Sequence, residues 1–130
     1  MKDVRPGCCL VVLLLIANLV LACGGGRSLQ SVSVSPGAAT SKAQFAATGV
    51  YNKMPTSVDI TSTTTWCIGS ANGVCDGNVI AGATVAAGTA QCLSGFTGTV
   101  TVLAGQAGPM GNPDGGNPLK PFGSAQLSCP

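Results

Sequence analysis

The sequence predicts an all-β sandwich of about seven short strands, carried behind an N-terminal targeting segment. Three observations predict it. The body of the chain is built from Gly, Ala, Ser, Thr and Val, with little Leu or Lys and no Glu, the reverse of a helix-forming composition. Short Val/Thr runs recur between turns marked by glycine and proline. The chain has seven cysteines, and once the N-terminal ones are set aside an even number remains to cross-link a small domain.

The N-terminal segment comes first. Residues 1–7, "MKDVRPG", place Lys2 and Arg5 before the apolar run "CCLVVLLLIANLVLA" of residues 8–22. As a helix that run spans about 22 Å, short of the roughly 30 Å hydrocarbon core of a bilayer, and matches the apolar part of a signal peptide. "GGGRSLQ" follows, a flexible tether by composition. Val20-Leu21-Ala22-Cys23 resembles the lipobox of bacterial lipoproteins, in which a peptidase cuts just before the cysteine and its thiol is diacylglycerated. The resemblance implies a signal peptide over 1–22, a lipidated Cys23 with a tether over 23–28, and a membrane anchor of two or three acyl chains, enough for stable attachment. By the same resemblance, Gly24 rather than aspartate after the cysteine implies the outer membrane over the inner in a Gram-negative envelope.

With Cys8 and Cys9 lost in the signal and Cys23 lipidated, Cys67, Cys75, Cys92 and Cys129 remain, an even set for two disulfides in an oxidising compartment. Four cysteines allow three connectivities. Cys67–Cys75 with Cys92–Cys129 is favoured, because the first pair brackets a Gly/Asn loop, "IGSANGV", that closes locally. In the chain-entropy model the two bridges contribute about 2.5 and about 4 kcal/mol.

Along the domain, residues 29–130, "LQSVSVSP" alternates Val32 and Val34 with serines and stops at Pro36, an edge-type first strand. "KAQFAATGVY", 42–51, is a second strand with Phe45 as a core residue, and "NKMPTSVDIT" is a turn-rich connection. "STTTWC", 62–67, delivers Trp66 to one face and Cys67 to the other. "IGSANGVCDGN" is a loop, "VIAGATVAAG" gives short strand material, and "TAQC", 89–92, is another strand. "GTVTVLAG", 98–105, alternates most clearly, Val100 and Val102 facing one way and Thr99, Thr101 and Leu103 the other. A Gly/Pro-rich loop follows, and "SAQLSC", 124–129, is the last strand. This pattern is that of an immunoglobulin-like β-sandwich.

The ordered series "SVSVSPGAAT…AQFAATGVY…DITSTTTWC…GTAQCLSGFTGTVTVLAG" also resembles a bacterial Ig-like domain of group 2 type over roughly residues 30–105. That resemblance implies a non-catalytic module serving adhesion, carbohydrate contact or spacing. The bridge between second and sixth strands of antibody-type domains is impossible here, because no cysteine lies in 42–51. "CIGSANGVC" also departs from the usual run in that family.

The chemistry-bearing residues are sparse. There is no histidine, and the carboxylates are only Asp3, Asp59, Asp76 and Asp114, placed in turns and loops where Asp serves turn geometry. Ser41-Lys42 are neighbours on a predicted strand and point to opposite faces, so they form no nucleophile pair. No catalytic residue, cofactor or metal site is expected. The seven residues between Cys67 and Cys75 do not suit zinc, and Asp114 alone in "GNPDGGNP" is thin for calcium. From Cys23 onward four basic residues face three acidic ones, which is no footprint for nucleic acid. The partners expected are the membrane, through the lipid, and an envelope protein or carbohydrate. Candidate contacts are the loops 68–74 and 105–123, with Phe96, Asp114 and Phe122, the two phenylalanines being expected as an exposed pair. The alternative function is a disulfide-stabilised inhibitor or accessory subunit that presents the 105–123 loop to a protein.

Overall fold

The computed structural model describes residues 26–76, 82–107 and 118–130. The expected helical signal peptide, Cys23 and Asp114 lie outside them. Among the described residues the fold is all-β, a sandwich of ten strands: β1 (Leu29–Ser35), β2 (Ala38–Thr40), β3 (Lys42–Gln44), β4 (Ala46–Tyr51), β5 (Ser57–Asp59), β6 (Thr65–Gly69), β7 (Ala83–Ala86), β8 (Thr89–Cys92), β9 (Gly98–Gly105) and β10 (Phe122–Cys129).

One layer is the four-stranded sheet β2-β10-β9-β6, antiparallel except where β2 runs parallel to β10. Facing it are two three-stranded sheets, β1-β4-β5 and β3-β8-β7. The strand count exceeds seven because one expected strand changes partners midway and two short strands, β2 and β5, lie outside the expected ones. The first run pairs with β4 up to Ser35, then Pro36 interrupts it and Ala38–Thr40 crosses to β10; proline has no N–H to continue a ladder. The expected strand 42–51 splits at Phe45, with β3 on β8 and β4 on β1. The connection 52–61, expected to be turn-rich, also contains the short β5.

Period-2 alternation fills the space between the layers. From β9, Val100, Val102 and Ala104 point inward; from β10, Ala125 and Leu127; from β6, Trp66 and Ile68. Against them pack Phe45, Ala83, Val85 and Ala90 in one cluster, and Val32, Ala47 and Ile60 in another. Phe45 is wholly buried. Trp66 is only half-buried: it spans the two clusters and donates its indole N–H to the Thr61 carbonyl at 2.8 Å. A third cluster, Cys67, Cys75, Leu103 and Leu119, sits on the outer face of the four-stranded sheet. Leu103 does leave β9 on the side opposite Val102, as its alternation dictates, and the loops on either side fold over it.

Two glycines permit close approach. Gly123 lies under β1, where a Cβ would stand 2.6 Å from the Val32 carbonyl oxygen. Gly88 closes the two-residue β7–β8 hairpin with φ of +82°, after Ala87 at +47°, the positive-φ pair of a type I′ turn. Its carbonyl accepts the Phe45 N–H at 2.7 Å.

The turn after β5 is held by Asp59. Hydrogen bonds from the Thr61 hydroxyl and then from the Thr61 backbone N–H, the latter 2.8 Å, keep the Asp59 carboxyl below its ordinary value of 3.8. The folded state therefore favours the ionised form, so this contribution is complete above the unfolded value and fades as pH falls through the lower folded value. Denaturant midpoints of wild type and Asp59→Asn, followed from pH 7 downward, should differ by a constant amount at neutral pH and draw together only below about pH 4, where wild type loses the contribution that the variant lacks. Identical acid profiles would remove Asp59 from the account.

Candidate functional site

Both disulfides form in the favoured pairing. Cys67–Cys75 closes the loop after β6, with Cα atoms 5.6 Å apart. Cys92–Cys129, Cα atoms 5.7 Å apart, joins the last residue of β8 to the last of β10 and so ties the two layers together. Beside it the Ser41 backbone makes the same connection, donating to the Ser128 carbonyl and accepting from the Cys92 N–H, each at 2.9 Å.

The expected exposed phenylalanine pair is a correction. Phe96 and Phe122 are both half-buried and lie in different places. Phe96 leans on the main core beside Gly82, where a Cβ would meet its ring at 2.3 Å. Phe122 joins the outer cluster and covers Gly73, whose absent Cβ leaves the room for its ring. Aromatic rings in a domain with few large apolar residues are recruited to cover it, even from loop edges.

The two candidate loops do meet. The Leu119 N–H donates to the Gly73 carbonyl at 2.9 Å, and Leu119 is buried against the Cys67–Cys75 bridge. The flank of the second loop is further clamped by Gln106 N–H to Pro121 and Lys120 N–H to Gln106, at 3.1 and 3.0 Å. These contacts are structural at the described positions; residues 108–117, with Asp114, lie outside them.

A groove lies at the end of the sandwich where the tether enters. Its walls come from the start of β1, the end of β4, the 60–64 turn, the start of β6 and the end of β9, and it encloses about 400 Å³. Its polar rim is Arg27, Thr63, Thr64, Thr65 and Gln106, with Tyr51 as the aromatic wall and Leu29 and Ile60 below. The Arg27 guanidinium lies over the Tyr51 ring, 3.8 Å from its centroid, and donates to the Pro55 carbonyl. Ser28 and Asn52 exchange hydrogen bonds of 3.1 and 2.8 Å, which pin the first residues of the domain to the β4–β5 turn. The Thr64 hydroxyl donates to the Gly105 carbonyl at 2.9 Å and braces the opposite wall.

Hydroxyls, an amide, one guanidinium and one ring can hold a polar ligand by hydrogen bonds and stacking. Among the described residues no group of three or more His, Cys, Asp or Glu is placed to hold a metal ion. The sequence places Arg27 in the tether and the threonine run in a strand, and neither placement marks the groove. The signal available was the run "STTTW" lying opposite the end of "TVLAGQ", and only the β6–β9 register makes them neighbours. No family model matches the chain, and no curated protein matches it.

Proposed function

We propose that this chain is a lipid-anchored, non-catalytic module of the bacterial cell envelope, whose Ig-like domain contacts or spaces envelope components. The lipobox-like Cys23 supplies the anchor in this reading, and Gly24 favours the outer membrane. The observation that carries a binding role is the groove of about 400 Å³ bounded by Arg27, Tyr51, Thr63–Thr65 and Gln106. It is within the size range of small-ligand sites, and its many hydroxyl and amide groups suit a saccharide better than an apolar molecule. Presentation of the 105–123 loop to a distant protein fits less well, because its described flanks sit at this same tether end.

Intact mass of the chain from the membrane fraction tests the anchor and the cross-links together. The expected species starts at Cys23, carries added acyl mass and has four fewer hydrogens than the reduced chain, two per disulfide; an unmodified Met1 terminus would exclude the anchor. For the groove, oligosaccharides released from bacterial cell wall are titrated into the purified protein. Thr65→Val with Gln106→Ala should weaken binding about thirtyfold, at about 1 kcal/mol for each of the two hydrogen bonds removed, with the unfolding midpoint unchanged. Equal affinity for both proteins would move any saccharide contact elsewhere.

A further inference from the structure

We infer that the tether end of the sandwich is itself a membrane-docking surface, with Met54 entering the interface and Arg27 meeting anionic headgroups. The inference rests on the reading of Cys23 as the lipidated residue, and its occupant is the bilayer that holds that lipid.

Three features place it. Met54 is 83% exposed at the tip of the β4–β5 turn, the most exposed large apolar side chain among the described residues. That turn is locked to the start of the domain: Asn52 bonds to Ser28, and Arg27 donates to the Pro55 carbonyl. Met54 is therefore held on a braced turn beside the point where the tether enters. Only Gly24, Gly25 and Gly26 separate Cys23 from Arg27, a reach of at most about 14 Å from Cα to Cα. An anchor of that length keeps this end in or just outside the headgroup layer, which adds several ångströms to each side of the hydrocarbon core.

Charge and shape agree with that placement. Arg27 is positioned for anionic phosphate, each basic residue near such a surface adding favourable energy. Lys53 stands on the same turn. An apolar side chain flanked by cations is the usual composition of an interfacial contact. β10 runs from Phe122, opposite Gly105 at the tether end, to Cys129, opposite Gly98. The C-terminus and the Cys92–Cys129 bridge are thus carried about 24 Å from the docked end. The saccharide groove would then open at headgroup level.

The test uses the full chain, purified from membranes in its acylated form and reconstituted in phosphatidylethanolamine/phosphatidylglycerol vesicles. Met54→Trp and Leu93→Trp each add one fluorophore to the native Trp66, at the tether end and near the Cys92–Cys129 end respectively. Vesicles with brominated acyl chains should quench the Met54→Trp emission about twofold, as expected for a side chain at the acyl boundary, and leave that of Leu93→Trp unchanged. Aqueous iodide should do the opposite, and Arg27→Gln should reduce the bromolipid quenching.

If intact mass shows the acyl groups and the Met54→Trp emission is still quenched by iodide and not by brominated lipid, docking is overturned while the anchor stands. Bromolipid quenching in a chain without acyl mass would support docking and remove the anchor. Shielding from iodide without bromolipid quenching would assign the face to contact with a second copy of the chain, and overturn the inference.

Discussion

Replacing Cys92 and Cys129 together by alanine should lower the stability of the domain by about 4 kcal/mol in the chain-entropy model. The two residues are 37 apart in sequence, and the bridge spans both layers. The reduced chain keeps the native hydrogen bonds at that junction, since Ser41 still donates to Ser128 and accepts from Cys92 through the backbone. The loss therefore acts chiefly through the unfolded chain, which gains the freedom that a closed loop denies it. Opening the Cys67–Cys75 loop, with a sequence separation of 8, should cost less, about 2.5 kcal/mol. Against a total of roughly 5–15 kcal/mol for a small domain, the longer bridge is a large fraction. At about 4–8 °C per kcal/mol the midpoint should fall by roughly 15–30 °C. Denaturant unfolding of the double variant should also show a larger m value, because a less constrained chain exposes more surface. A loss below about 1 kcal/mol would mean that the reduced unfolded chain is no freer than the cross-linked one.

Phe45→Ala should be comparably damaging, at about 3–5 kcal/mol. Phe45 is 0% exposed and has the largest volume of the fully buried side chains described. Its place explains the expected size of the effect. It stands between β3 and β4, with Gln44 and Ala46 on either side exposed, so its ring alone fills the point where one three-stranded sheet gives way to the other. Much of the rest of that cluster is small, Ala83, Ala90 and Ala125 with Val85, Val100 and Val102, and its larger members Ile68 and Leu127 are themselves fully buried on the strands of the facing sheet. The Phe45 N–H would keep its bond to Gly88, so the loss is one of packing rather than of backbone pairing. Phe45→Leu should retain more than half of the stability lost to alanine, because it leaves a smaller cavity. Urea unfolding of both variants reads this directly, and a Phe45→Ala protein within 1 kcal/mol of wild type would show that the sheets close over the gap.

Much of this fold was legible residue by residue. β8 and β9 have the expected bounds, and β10 begins only two residues earlier, because period-2 alternation and flanking glycines are local properties. The opposite facing of Trp66 and Cys67, and of Val102 and Leu103, follows from the same period. The disulfide pairing was legible too, though only as the favoured one of three, since a short loop rich in Gly and Asn closes easily. Phe96 and Phe122 were misread for a physical reason. Sequence position near a loop says nothing of whether a cluster nearby lacks cover, and both rings are drawn onto one.

By itself the sequence determined the β class, the strand faces and the parity of the cysteines, because each depends on residue type and on neighbours along the chain. It also holds the lipobox-like segment 20–23, on which the proposed anchor rests. Only the tertiary structure decided that the runs 29–40 and 42–51 each serve two sheets, that an outer cluster forms over Leu103, and that Arg27, Met54 and the groove share one end. Those outcomes depend on register between strands far apart in the chain. Alternation dictates which way a side chain points, while the partner that receives it is selected by long-range packing.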